Sequence, residues 1–197
     1  MLGSFGFSHK CVYLVGARAC GKSTVGRLLA ARLNWPLAET DLMAEEIMGS
    51  SISDAVAEKG WDFFREAETR ALKQAASLKP AVISTGGGIV LSRENREFMA
   101  KTGMVVYLKA LPQLLEQLLL ADAGCRPSLT GAHPADEIGR VLAEREKLYR
   151  ELAHLTVDVD RAEEEICKHI YATLLIVGAK GHLLKPDGMP EGEGMIQ

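Results

Sequence analysis

The chain has 197 residues, 47% hydrophobic and 25% charged, with 23 Lys and Arg against 26 Asp and Glu for a net charge of −3. This ordinary globular composition excludes a largely disordered chain, and the mild acidity argues against a general nucleic-acid binder. A chain of this size buries about 70% of its unfolded surface, which is core enough to fold without disulfide staples. Its four cysteines, Cys11, Cys20, Cys125 and Cys167, include no Cys-x-x-Cys pair. No basic-then-apolar leader opens the chain, and the longest apolar stretch, residues 170–177, is too short to span a bilayer. These features predict a cytoplasmic protein with free thiols, no membrane association and no nucleic-acid partner.

In chain order, residues 1–10 are Gly- and Ser-containing without a period and are expected to form a flexible leader. A strand is expected at 11–15, then a helix over 22–33 with Val25, Leu28, Leu29 and Leu33 on one face. A second strand follows at 36–40. Helices at 53–59 and 62–77 occupy a strand-free insert at about 42–73. Strand 81–85, helix 92–101, strand 104–108 and helix 111–120 restore the alternation. The segment at about 122–135 breaks it again with Gly124, Pro127, Gly131 and Pro134. Helix 136–152, strand 155–158 and helix 163–175 complete a single domain over 11–177, and 178–197 is expected to be a flexible tail. Strands alternating with helices predict an α/β fold, a five-stranded parallel sheet with helices on both faces. Irregular segments in such folds are where an acceptor binds or a lid moves.

The stretch Gly16-Ala17-Arg18-Ala19-Cys20-Gly21-Lys22-Ser23 matches G-x-x-x-x-G-K-[ST] between an apolar strand and an amphipathic helix. Glycines let the backbone curl so that successive N–H groups face a phosphate, and the helix N-terminus adds its positive end. Lys22 is placed to reach the β- and γ-phosphates and the Ser23 hydroxyl to ligate Mg²⁺. Gly16, Ala19, Cys20, Gly21, Lys22, Ser23 and Thr24 are the expected nucleotide-binding positions, with the Cys20 thiol a bystander. No Asn/Thr-Lys-x-Asp guanine motif and no Leu-Ser-Gly-Gly-Gln occurs, and Arg18 breaks any G-x-G-x-x-G. A small kinase whose acceptor site is built from the two inserts remains.

Further segments narrow the acceptor: Glu39-Thr40-Asp41, Phe64-Arg65-Glu66-Ala67-Glu68, Gly86-Gly87-Gly88, Arg126-Pro127 and Arg145-Glu146-Lys147-Leu148-Tyr149. Their order and spacing resemble the shikimate kinases over about residues 11–170. The resemblance implies a three-layer P-loop NTPase fold like that of nucleoside monophosphate kinases. It also implies a monomer that moves the γ-phosphoryl group of MgATP to the 3-hydroxyl of shikimate, in chorismate and aromatic amino-acid biosynthesis. It implies that Asp41 accepts hydrogen bonds from ring hydroxyls, with a part as base. Arg65 and Arg145 clamp the carboxylate, as planar forks do, and Glu68 holds Arg65. Gly87, with Gly88 beside it, donates a backbone N–H where a side chain would collide. Lys22 and Arg126 stabilise the transferring phosphate, and Arg126 also contacts the nucleotide.

Three positions depart from the family. Glu39 stands where an Asp usually reaches Mg²⁺ through water. Ala19 stands where Gly is frequent, so the backbone there is expected to avoid positive φ. Gln117-Leu118-Leu119-Leu120 lacks the Arg that stacks on adenine. Blander readings compete: Arg65 and Glu68 as a surface i,i+3 pair, Asp41 as a helix N-cap, and Arg145 as part of a solvated face. The alternative functions are a related small-molecule kinase acting on gluconate or a nucleotide, and a non-catalytic nucleotide switch.

Overall fold

The computed structural model describes residues 11–121 and 134–180. The expected leader at 1–10, most of the expected lid, and the tail from 181 onward lie outside the described residues, as do Cys125 and Arg126.

Five strands, β1 (Cys11–Val15), β2 (Leu37–Glu39), β3 (Val82–Ser84), β4 (Gly103–Lys109) and β5 (Leu155–Asp158), form one all-parallel sheet in the order β2-β3-β1-β4-β5. Their aliphatic composition suits a sheet covered on both sides. Val12, Leu14, Val82, Met104, Val106 and Leu108 face one core, while Tyr13, Val15, Ile83, Val105 and Tyr107 face the other. This is the period-two alternation of a strand. The first core is covered by α1 (Lys22–Leu33), α5 (Pro112–Ala121), the start of α6 (Pro134–Leu152) and α7 (Glu163–Lys180). The second is covered by the end of α3 (Ile52–Ser77), by α4 (Arg93–Thr102) and by the C-terminal turns of α6. A third cluster, Ala44, Phe64, Ala67 and Ala71, joins α2 (Thr40–Met48) to α3.

Differences from the expected elements have local causes. The strand expected at 36–40 stops at Glu39 because Thr40 already opens α2. The two helices expected at 53–59 and 62–77 form one element, broken internally at Gly60 (φ 83°, ψ 174°). A short 3₁₀ turn at Ile89–Leu91 was not expected. Pro134 opens α6 inside the expected lid, at the helix position proline favours. Helix α7 runs to Lys180, three residues into the expected tail; Ile170, Leu174 and Val177 continue its buried stripe. Among the described residues no helix is long and apolar enough to cross a membrane.

Register positions the site. Glu39 pairs with Ser84 and Ser84 with Leu14, so the loops leaving β2, β3 and β1 emerge side by side at the carboxyl edge of the sheet, where such sheets bind ligands.

The opposite edge generates a stability test. Gly103 opens β4 with extended backbone that any residue could adopt, but a Cβ there would press on the Cys11 carbonyl and lie 2.8 Å from the Tyr13 ring. Gly103→Ala is expected to cost about 1–3 kcal/mol by overpacking, read as a lower urea midpoint. A glycine kept only for flexibility would instead give a gain of about 0.4–1 kcal/mol on replacement.

Candidate active site

The loop from Gly16 to Gly21 carries the chain from β1 into α1. Gly16 has φ 149°, and a Cβ there would lie 2.6 Å from the Leu108 carbonyl oxygen and 2.8 Å from Cys20 Sγ, so only glycine fits. Gly21, before α1, has φ 86°. Ala19, expected to avoid positive φ, has φ 64°. A loop that turns successive N–H groups toward one phosphate needs a left-handed residue, and alanine adopts that conformation at a cost of about 1–2 kcal/mol. Lys22 is 8% exposed, and its Nζ donates to the carbonyl oxygens of Gly16 at 3.0 Å and Ala17 at 2.6 Å. Cys20 is buried with its Sγ 3.7 Å from that ammonium. Ala19, Gly21, Lys22, Ser23 and Thr24 line a cavity of about 780 Å³, while Gly16 and Cys20 support the loop from behind.

The same cavity carries the expected acceptor face, with Asp41, Arg65, Gly87, Gly88 and Arg145 on its wall. The N-cap of α2 is Glu39, and Asp41 lies in the first turn, so the cap reading of Asp41 does not hold. The 86–88 turn is pinned twice. Thr85 donates its N–H and its hydroxyl to the Leu14 carbonyl at 3.2 and 2.9 Å, and the Gly86 N–H donates to buried Thr40 Oγ1 at 3.0 Å.

Arg65 and Glu68 are more than a solvated surface pair. Glu68 is 1% exposed, accepts from Arg65 Nη1 at 2.7 Å, and its Oε1 has no partner among the described residues. The Arg65 guanidinium lies over the rings of Phe64 at 5.0 Å and Trp61 at 5.4 Å. Burial pushes the Glu68 carboxyl above the ordinary glutamate range; Arg65 opposes the shift, the Asp41 charge adds to it, and Arg145 opposes it.

The three glycines of the turn differ in how closely protein atoms approach them. A Cβ on Gly87 would meet no protein atom closer than 3.4 Å, whereas one on Gly86 would strike Asp41 Oδ1 and one on Gly88 the Arg65 guanidinium. The Gly87 carbonyl accepts from Tyr149 Oη at 2.5 Å and Arg145 Nη1 at 3.3 Å. Arg145 therefore faces the turn, and its buried Nε has no partner among the described residues. Sequence reading assigned no role to Tyr149, Trp61 or Phe64. The spacing from Arg145 to Tyr149, four residues on one helix, already placed both on one face.

Two cavity residues suit a divalent cation. Ser23 is exposed on the first turn of α1, and Glu39 at the end of β2 has a buried Oε1 with no partner among the described residues. Among the described residues no group of three or more His, Cys, Asp or Glu could hold a metal. One hydroxyl and one carboxylate oxygen fit Mg²⁺, which keeps several waters and is bound largely through substrate phosphates.

The shikimate kinase family model matches residues 18–175. The shikimate kinase of Oleidesulfovibrio alaskensis is 46% identical over 85% of this chain and 98% of its own length. That of Nitratidesulfovibrio vulgaris is 46% identical over 83% and 94%. The structure of shikimate kinase from Acinetobacter baumannii in complex with shikimate superposes with a TM-score of 0.80 at 33% identity, covering 86% of this chain and 95% of that one.

The raised Glu68 carboxyl makes a prediction whose sign is fixed. Because the folded state holds this proton more tightly, the associated stability is full below the unfolded value and lost as pH rises through the folded value. Glu68→Gln is uncharged at every pH and loses the Arg65 ion pair, so only the pH dependence of its urea midpoint relative to wild type is fixed: that relative midpoint is expected to be highest at neutral pH. It should fall as pH falls toward 4.5, the ordinary glutamate value.

Proposed function

The chain belongs to the shikimate kinase family, and from that premise we propose that it transfers the γ-phosphoryl group of ATP to the 3-hydroxyl of shikimate, giving shikimate 3-phosphate and ADP. The observation that carries the reading is the shared cavity: a phosphate loop and a face bearing Arg65, Arg145, Asp41 and the 86–88 turn open into the same space. Phosphoryl transfer asks a protein for positioning and charge neutralisation more than for covalent chemistry.

In this reading Lys22 leaves the loop carbonyls and follows charge onto the γ-phosphoryl group. Arg65 and Arg145 take the acceptor carboxylate as planar forks. Asp41 orients the ring hydroxyls and accepts the proton from the attacking one. Arg126, by its place in the family pattern, adds a cation at the transferring group. Ser23, directly, and Glu39, through water, would hold Mg²⁺, which when bound neutralises charge on the phosphate oxygens. A monomeric, cytoplasmic enzyme of aromatic amino-acid biosynthesis completes the reading.

A coupled assay with ATP and Mg²⁺ should show turnover with shikimate and none with gluconate, AMP or CMP; equal use of another acceptor overturns the assignment. Arg65→Ala and Arg145→Ala should each weaken shikimate by about 30- to 5,000-fold in kcat/KM and leave MgATP affinity within about threefold. Calorimetric titration of each ligand separates the two effects. If Glu39 acts on the cation, Glu39→Gln should raise the half-saturating Mg²⁺ concentration by about 10–100-fold with little change in shikimate binding. An unchanged Mg²⁺ dependence removes Glu39 from the site.

A further inference from the structure

Tyr149 is buried on α6, and its ring stacks on Tyr107 of β4 with centroids 5.0 Å apart and planes 18° apart. Its hydroxyl donates to the Gly87 carbonyl. Arg145 reaches the same carbonyl from 3.3 Å, the longer of the two contacts. The Gly87–Gly88 peptide is trans, so its C=O and N–H point in opposite directions. Holding the carbonyl against α6 therefore aims the Gly88 N–H away from that helix. The N–H groups of Gly86, Ile89 and Leu91 are taken by Thr40, Gly86 and Gly88. No protein acceptor among the described residues takes those of Gly87 and Gly88, which leaves them to acceptor hydroxyls.

We propose that Tyr149 is a positioning residue for phosphoryl transfer: its phenol, seated on the Tyr107 ring, locks the Gly87–Gly88 peptide so that the turn presents its N–H to the acceptor beside Asp41. This rests on the acceptor reading above. Arg145 is drawn toward the acceptor carboxylate when substrate binds, and the phenol then remains as the donor that keeps the carbonyl in place. Burial pushes the Tyr149 hydroxyl well above the ordinary tyrosine range, so it stays a donor across the working pH range. The Tyr107 hydroxyl, by contrast, is buried with no partner among the described residues, so only its ring contributes.

The test removes one oxygen from each ring. Tyr149→Phe keeps the stack and should lower kcat/KM for shikimate about 5- to 30-fold, with KM for MgATP moving less than about twofold. Tyr107→Phe makes the same chemical change and should leave both parameters within about twofold. A purely structural Tyr149 would lower the thermal midpoint and leave both kinetic parameters in place, which overturns the proposal, as does an equal loss toward MgATP. A second measurement needs no substrate. In ligand-free protein labelled with carbonyl-¹³C glycine, the Gly87 resonance should move upfield in Tyr149→Phe and stay put in Tyr107→Phe. An unmoved resonance overturns the proposal. If wild type failed to use shikimate, the acceptor assignment would fall while the carbonyl resonance still decided what Tyr149 holds.

Discussion

Backbone at Gly86 and Gly88 lies directly against three charged side chains, Asp41, Glu68 and Arg65, with no room for a Cβ between them. That close approach couples the sheet to the α2–α3 layer. It lets Glu68, a carboxylate with 1% exposure, sit where burial disfavours its charge, because Arg65 is held 2.7 Å away. A buried ion pair of this kind adds little net stability, since desolvation offsets much of the attraction. Its value is directional: Arg65 is pinned between Glu68, the aromatic faces of Phe64 and Trp61, and the turn. A guanidinium fixed in this way loses less entropy when it meets a carboxylate.

The two halves of the cavity meet because of sheet topology. In a parallel sheet every strand presents its carboxyl end at the same edge, and the order β2-β3-β1 puts three such ends in a row. The phosphate loop leaves the third, the 86–88 turn leaves the second, and Glu39 with Asp41 leaves the first. Thr85 and Thr40 then tie the turn to β1 and to α2 by hydrogen bonds. The phosphate loop and the proposed acceptor face are thus held by the core, and a transfer that depends on alignment within tenths of an ångström has a rigid frame.

Several local rules are broken at this edge and nowhere so densely elsewhere in the described chain. Ala19 adopts a left-handed conformation, and Glu39 Oε1, Glu68 Oε1 and Arg145 Nε are buried without partners among the described residues. Sequences fold best when every level agrees, and functional sites are where that agreement is sacrificed. The left-handed turn at Ala19 is part of a loop whose carbonyls hold Lys22, and polar atoms on the cavity wall without a partner among the described residues are capacity for a ligand rich in oxygen.

Much of this was legible in the residues. Strand β1 and helix α1 were bounded correctly because an apolar pentapeptide followed by G-x-x-x-x-G-K-S leaves few alternatives, and β5 likewise. Asp41, Arg65 and Arg145 could be singled out because the motifs that carry them resemble those of the shikimate kinases; the charge pattern alone also suited a cap, a surface pair and a solvated face. The conformation of Ala19 was misjudged, since propensity disfavours positive φ and only the loop's closure over Lys22 imposes it. That protein side chains crowd Gly86 and Gly88 was not legible, because which backbone atom faces a side chain depends on segments 18 to 45 residues away. Tyr149 carried no role until α6 was laid across the turn. Local pattern determined most of the elements and the phosphate loop, and the family resemblance singled out the charged residues of the proposed acceptor face. Only the packed structure decided which atoms of those residues touch, because contact across elements is set by register and helix docking, which no short stretch of sequence encodes.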